Sequence, residues 1–219
     1  MLFRSERPRL AREAARRMME QARLRVPESA AGALQILLRQ GDLTDALLEC
    51  EPGARLFVLG SNRQATSPRK LRLDHRVESV VRQVRQPVLV MTRPDFSAPG
   101  SFVVAYDGSA TAHHAIEAVA RSPLLRGMPG LLAMASEATP QAQKHLDEAQ
   151  ALLGQAGFEV GTQFVAGPPE EAIPALMEKR GDALLVLGAY GHSRIRQLIV
   201  GSTTTALLRL CSVPMLVLR

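Results

Sequence analysis

The 219-residue sequence contains no tryptophan, and aromatic residues make up only 4% of it. Its core must therefore be packed mainly from leucine, valine, alanine and methionine, within an apolar content of 46% that is ordinary for a globular protein. No apolar run approaches the roughly 18–20 residues of a membrane span, and the first residues lack the apolar stretch of a secretory signal. We therefore expect no membrane partner.

Cysteine is scarce as well. The two cysteines, Cys50 and Cys211, have no metal-ligand spacing, and both lie in apolar sequence with a helical pattern. We expect two buried, reduced thiols. Reduced thiols are typical of the cytoplasm, which is the location that we expect for this protein.

An excess of basic residues is confined to the first half of the chain. Residues 1–95 contain 18 Lys and Arg against 11 Asp and Glu, whereas residues 96–219 contain 9 against 10. The net charges are +7 and −1, which together give the formal +6. A basic half can favour nucleic acid or an acidic partner, but no DNA-binding motif and no aromatic interleaving accompany it. We interpret it as a solvated, arginine-rich helical surface and do not expect nucleic acid as a partner.

Prolines and a glycine in residues 93–100 predict a linker and divide the chain into domains 1–95 and 96–219. In the second domain strand patterns alternate with helix patterns, which predicts a five-stranded parallel sheet with helices on both faces. The expected strands are 102–106, 130–135, 158–165, 184–187 and 215–218, and the expected helices are 110–121, 141–155 and 169–179.

The first domain repeats only the later part of this pattern. Residues 55–60 resemble 183–188, and residues 86–90 resemble 213–217, at nearly the same separation. The two segments are therefore spaced nearly alike in both domains, which predicts two further strands in the first domain.

Upstream, residues 10–24 match the long helix of the second domain and predict a helix. Residues 34–38 match its third strand and predict a strand. Nothing in residues 1–9 can supply the opening strand–helix–strand. The first unit must then complete its sheet against the second domain or another chain, or begin further upstream.

The most informative motif lies near the C-terminus. Gly188 is followed after two residues by Gly191, and after nine more by Gly201-Ser202. The motif stands between a buried-strand pattern and a helix pattern. Glycines let the backbone approach an anion closely, and a helix N-terminus offers unpaired N–H groups, so the spacing predicts a phosphate site. The same glycines also fit simple turns. The threonines at 203–205 are unfavourable inside a helix, so we expect their hydroxyls to face an anion or water.

With Tyr106-Asp107-Gly108-Ser109 after the first strand of the second domain, these motifs resemble the universal stress protein family. The likeness is to its tandem two-repeat form, with a truncated and degenerate first repeat. The resemblance implies a flavodoxin-like α/β sandwich (adenine nucleotide alpha hydrolase-like) of strand order 3-2-1-4-5. It also implies ATP, ADP or AMP as the ligand, with or without Mg²⁺.

The resemblance further implies which residues hold the nucleotide. Asp107 would accept hydrogen bonds from adenine or ribose, and Tyr106 would flank the base. The full implied set is Ala105, Tyr106, Asp107, Met134 and Ala135 around the base, and Gly188, Ala189, Gly191, His192, Gly201, Ser202 and Thr203 around the ribose and phosphates. Residues 107–109 also fit a plain turn and helix cap, and His192 also fits a solvent-facing loop.

The first repeat departs from the motif. Arg63 stands at the position of the second glycine, and Asp74 lies where Gly-Ser is expected, so we expect no nucleotide site in residues 1–95. Family members often pair through their terminal strands. Here that implies pairing of residues 87–90 with 214–217 inside the chain as a pseudo-dimer, or a homodimer through the same strands.

These observations favour a cytoplasmic stress-response protein whose second domain binds an adenine nucleotide, and whose contacts with an unidentified protein partner depend on that nucleotide. The sequence has no nucleophile–base pair, no paired carboxylates in the motif and no Walker lysine. At most we expect slow ATP hydrolysis or self-phosphorylation. One alternative is a structural or protein-interaction module with a vestigial site, and another is a nucleotide-using α/β enzyme or electron-transfer subunit.

Overall fold

The computed structural model describes residues 3–60, 75–92, 97–189 and 202–219 and divides the chain into two compact units, Met1–Asp42 and Leu43–Arg219. The first unit contains α1 (Phe3–Arg25) and the single-turn α2 (Glu28–Ala31). The helix predicted for residues 10–24 is thus confirmed.

The strand predicted for residues 34–38 is wrong. This segment forms neither helix nor strand, and Leu37 and Leu38 are 66% and 52% exposed. A strand needs a neighbouring strand for its backbone hydrogen bonds. No described strand pairs with this segment. Apolar composition alone therefore does not make it a strand.

The second unit is a seven-stranded α/β domain. Its strands are β1 (Phe57–Gly60), β2 (Val88–Met91), β3 (Ser101–Ala105), β4 (Gly130–Met134), β5 (Val160–Phe164), β6 (Ala183–Gly188) and β7 (Met215–Leu218). Its helices are α3 (Leu43–Cys50), α4 (His75–Gln83), α5 (Ala110–Ala120), α6 (Pro140–Gln155), α7 (Pro169–Arg180) and α8 (Ser202–Leu210), with a 3-10 turn at Glu51–Gly53.

The sheet has the order β1-β2-β7-β6-β3-β4-β5, and its strands are parallel except where β2 meets β7. The five strands expected in residues 96–219 are all present, and the two further strands expected in the first domain, β1 and β2, continue the same sheet. The antiparallel pairing places Leu89 opposite Leu216 and Val90 opposite Met215. The pairing expected between residues 87–90 and 214–217 within the chain is confirmed.

Apolar cores lie on both faces of the sheet. Helices α5 and α6 contribute buried residues such as Ile116 and Leu146 to one core, and α4, α7 and α8 contribute residues such as Leu208 to the other. Strand β6 is buried along nearly its whole length, with Leu185 facing one core and Val186 the other. This two-sided burial explains the continuous apolar run of β6, which is typical of a central parallel strand.

The prediction of two buried thiols holds for one cysteine only. Cys211 is buried, whereas Cys50 is exposed at the end of α3. Helix α3 is only eight residues long, and the short apolar face that it presents ends before Cys50.

A buried carboxylate joins α4 to α8. Glu78 is 6% exposed and accepts hydrogen bonds from Arg82 on its own helix and from Arg209 Nη2, 2.9 Å away on α8. Burial alone would raise the pKa of Glu78. The hydrogen bond from Arg209 and the positive charges of Arg82 and Arg209 outweigh it, so this pKa lies below its ordinary value.

We expect Glu78→Gln to lower the free energy of unfolding by about 1–2 kcal/mol at pH 7, because two charge-assisted hydrogen bonds are weakened. A carboxylate with a lowered pKa stabilises the fold above its unfolded value of about 4.3, and this contribution is lost as the pH falls through the folded value. Urea unfolding at pH 7 and near pH 3 should therefore show a difference that shrinks in acid.

Glu148→Gln is the matched control for this substitution. Glu148 also lies four residues from its basic partner on a helix, but its side chain is 57% exposed and 3.8 Å from Lys144. Its loss should cost about 0–0.5 kcal/mol. Equal costs for the two variants, or a Glu78 cost that does not change with pH, would contradict the assigned role.

Candidate functional site

The candidate site lies where the strand order reverses. From β3 the chain proceeds to β4 and β5 on one side, and then to β6 and β7 on the other. Open α/β sheets bind ligands at such a switch point, beyond the carboxyl ends of the strands. Here that edge follows Ala105 of β3, Met134 of β4 and Gly188 of β6.

The turn after β3 presents a carboxylate at this edge. Asp107 Oδ1 accepts a hydrogen bond of 2.9 Å from the Ser109 backbone N–H, and Ser109 Oγ caps α5 by accepting one of 3.2 Å from Ala112 N–H. Gly108 has a φ of +74°, which an L side chain rarely adopts. The motif is therefore a turn and helix cap, and Oδ2 of Asp107 has no partner among the described residues.

A cavity of about 420 Å³ opens beside Asp107, within the range of small-molecule sites. It is bounded by the turn after β3, the end of β4 with the loop that follows, and the first turns of α6. The lining residues are Asp107, Met134, Ala135, Ser136, Glu137, Thr139, Gln141, Ala142 and His145.

Three of these lining residues, Asp107, Met134 and Ala135, are among those that the family resemblance implied. The contribution of α6 was missed. The signal that could have found it is Thr139-Pro140, since Thr139 caps α6 by accepting a hydrogen bond of 3.1 Å from Ala142 N–H and Pro140 is the first helical residue. A helix that begins beside the switch point brings its first turns to the site.

The chemistry of the cavity suits a neutral ligand with hydrogen-bond donors. Asp107 and Glu137 contribute carboxylates, which accept hydrogen bonds and repel anions. Met134, Ala135 and Ala142 contribute apolar surface. A phosphate group would be disfavoured here, whereas a base or sugar with amino or hydroxyl groups fits the lining.

Two residues predicted at the base, Ala105 and Tyr106, do not line the cavity. The Tyr106 side chain is 5% exposed and belongs to the core that α5 and α6 cover. Its burial raises the pKa of the phenol, and the negative charges of Asp107 and Glu148 add to the effect.

The end of β6 is packed closely by two helices. A Cβ on Gly188 would lie 3.0 Å from the Thr111 carbonyl oxygen and 3.3 Å from Ala115 Cβ, so any larger residue here would require α5 to shift by a few tenths of an ångström. Thr204 Oγ1 donates a hydrogen bond of 3.1 Å to the Gly188 carbonyl, which ties the start of α8 to β6. The expectation that the threonine hydroxyls face an anion or water is thus wrong for Thr204.

The other residues predicted for the phosphate end have mixed positions. Ala189 is buried, and its N–H donates a hydrogen bond of 2.8 Å to the Leu218 carbonyl. This N–H group therefore already has a hydrogen-bond partner in the sheet. Ser202 is the first residue of α8 and Thr203 is exposed on that helix. Gly191, His192 and Gly201 lie outside the described residues.

Residues 3–60, 75–92, 97–189 and 202–219 contain no group of three or more His, Cys, Asp or Glu that could hold a metal ion. Over the same ranges no helix is long and apolar enough to cross a membrane.

Comparison with known proteins links this architecture to one family. The model of the "Universal stress protein family" matches residues 100–219. Universal stress protein Slr1230 of Synechocystis sp. is 30% identical over 213 residues, which are 96% of this chain and 74% of that protein. The crystal structure of a universal stress protein from Archaeoglobus fulgidus superposes with a TM-score of 0.71 at 23% identity, covering 100% of this chain and 83% of the other.

Proposed function

Because the chain belongs to the universal stress protein family, we propose that its second domain, residues 96–219, binds ATP or a related adenine nucleotide as a regulatory ligand. The observation that carries this proposal is the cavity beside Asp107 at the switch point of the sheet. The nucleoside would occupy this cavity, with Oδ2 of Asp107 accepting a hydrogen bond from the base or the ribose.

The phosphates would lie toward the end of β6 and the start of α8. The carboxylates of Asp107 and Glu137 disfavour phosphate in the cavity, whereas the N-terminus of α8 offers N–H groups and partial positive charge. Gly191, Gly201 and Ser202 are the proposed phosphate contacts, and Mg²⁺ would be bound through the phosphate oxygens of the ligand.

We also propose that the chain is a tandem pair of repeats, with residues 1–95 as a truncated first repeat. In support, β2 and β7 pair antiparallel, and each has a parallel neighbour on its other side, β1 beside β2 and β6 beside β7. The five strands of the second repeat lie in the order β5-β4-β3-β6-β7 when the sheet is taken from its β5 edge. Numbered 1 to 5 from β3 to β7, this is the 3-2-1-4-5 order of the family. Pairing through β2 and β7 makes the chain a pseudo-dimer.

The proposed mechanism is ligand binding that changes contacts with a protein partner in the cytoplasm, rather than turnover. A ligand shifts a conformational equilibrium only to the extent that it binds one of the two states more tightly than the other. The residues around the cavity include carboxylates and one histidine, but no nucleophile paired with a base. Slow hydrolysis or self-phosphorylation would be a secondary property.

Calorimetric titration of the full chain with ATP and Mg²⁺ tests the proposal. We expect saturable binding with a Kd below physiological millimolar ATP. Gly191→Glu and Ser202→Asp should each weaken it by at least about tenfold, because a new carboxylate faces the phosphates. Asp147→Glu, a conservative change at an exposed position of α6 outside the cavity, is the control and should not affect it.

Absence of saturable binding by the wild-type chain would contradict the nucleotide proposal and favour an interaction module with a vestigial site. Binding that neither glycine-motif variant changes would contradict the proposed phosphate position. Sustained ATP turnover well above background would instead identify an enzyme.

A further inference from the structure

His145 stands in the wall of the cavity at a position that no sequence motif marks. It lies on the second turn of α6, on the same helix face as Gln141 and Ala142, four and three residues earlier. All three residues line the cavity. Helix geometry therefore directs the imidazole toward the turn that carries Asp107.

The imidazole lies directly against Gly108. A Cβ on Gly108 would be 3.1 Å from His145 Cε1 and 3.2 Å from Cγ, and closer still to Nδ1. Gly108 thus meets two requirements, a positive φ of +74° and the space that the ring occupies. Because Gly108 directly follows Asp107, the ring is held next to the residue that bears the proposed ligand carboxylate.

His145 is available to a ligand. Its side chain is half-buried, and within the part of the chain that the structure describes it has no hydrogen-bond or ion-pair partner. A neutral imidazole donates one hydrogen bond and accepts another, whereas the Asp107 carboxylate only accepts. Together they match a nucleoside, whose base and ribose present both donors and acceptors.

We propose that His145 is a ligand-contacting residue that hydrogen-bonds to the nucleoside part of the nucleotide beside Asp107. The proposal rests on nucleotide binding by this domain and adds a residue from α6 to the site. It places His145 at the nucleoside end, away from the phosphates that α8 would hold.

Titrations with two ligands distinguish a contact at the nucleoside end of the site from a contact at the phosphate end. ATP carries a nucleoside and tripolyphosphate does not, so titrations with both, in the presence of Mg²⁺, resolve where His145 acts. His145→Ala should weaken ATP binding about 3- to 10-fold, the worth of one hydrogen bond, and leave tripolyphosphate binding unchanged. His145→Gln, whose amide also donates and accepts, should bind ATP more tightly than His145→Ala. The exposed His113→Ala on α5 is the matched control.

A measurement on the wild-type chain removes any dependence on how the variants fold. ATP should slow modification of His145 by diethylpyrocarbonate, followed by mass spectrometry, whereas tripolyphosphate should not. Unchanged ATP affinity in His145→Ala, an equal loss for tripolyphosphate, or no protection by ATP would overturn the role of His145. Each of these results is distinguishable from failure of the wild-type chain to bind ATP, which would overturn nucleotide binding itself.

Discussion

Replacing Phe102 by alanine is expected to lower the free energy of unfolding by about 3–5 kcal/mol, as is typical for a large aromatic side chain removed from a core. Phe102 is 0% exposed in β3, and its ring meets that of Phe158 edge to face with centroids 6.0 Å apart. Strand β3 lies between β4 and β6, and the turn with Asp107 follows it. The cavity left by the ring would lie in the core at the amino end of β3, away from the turn that carries Asp107.

Urea unfolding monitored by circular dichroism measures this effect. Leu124→Ala is the control, because Leu124 is 46% exposed and its truncation should cost less than about 1 kcal/mol. Gly130→Ala should also destabilise the fold, since its new Cβ would lie 2.8 Å from Phe102 Cε2. A cost below about 1 kcal/mol for Phe102→Ala would contradict the burial of this ring in the core.

Replacing Asp107 by alanine should weaken ATP binding about 10- to 100-fold, because a hydrogen bond to a charged acceptor contributes about 1.5–3 kcal/mol. The substitution also removes the hydrogen bond that Ser109 N–H donates to Oδ1. Asp107→Asn separates the two roles, since its amide oxygen can still accept from Ser109 while the charge is lost.

Calorimetric titration compares these variants with Asp147→Ala, which removes a carboxylate from an exposed position of α6 outside the cavity. We expect the order of affinity to be wild type and Asp147→Ala, then Asp107→Asn, then Asp107→Ala. An Asp107→Ala chain that binds ATP as tightly as the wild type would place the nucleotide elsewhere.

Strand and helix positions in the second domain were predictable because each has a strong local signal. Strand β6 reads as an unbroken apolar run because both of its faces are buried. Helix α6 has a capping threonine, a proline at its first position and an apolar face. The pairing of β2 with β7 was predictable only from the resemblance, since strand pairing is not encoded locally, and its antiparallel direction was not predicted.

Other features depended on tertiary context. Residues 34–38 have strand-like composition, yet no described strand pairs with them. Three successive threonines favoured hydroxyls that face an anion or water, but the Thr204 hydroxyl donates to the Gly188 carbonyl. His145 reaches the site only because Gly108 lets α6 approach the turn after β3, a contact between residues far apart in the sequence.

A crystal structure of the full chain grown with ATP and Mg²⁺ would show whether the cavity beside Asp107 holds the nucleoside of an adenine nucleotide. We predict the nucleoside between Asp107 and Met134, in contact with His145, and the phosphates at the start of α8 beside Ser202. A nucleotide bound at another surface, or an empty cavity at saturating ATP, would contradict the proposed nucleotide site.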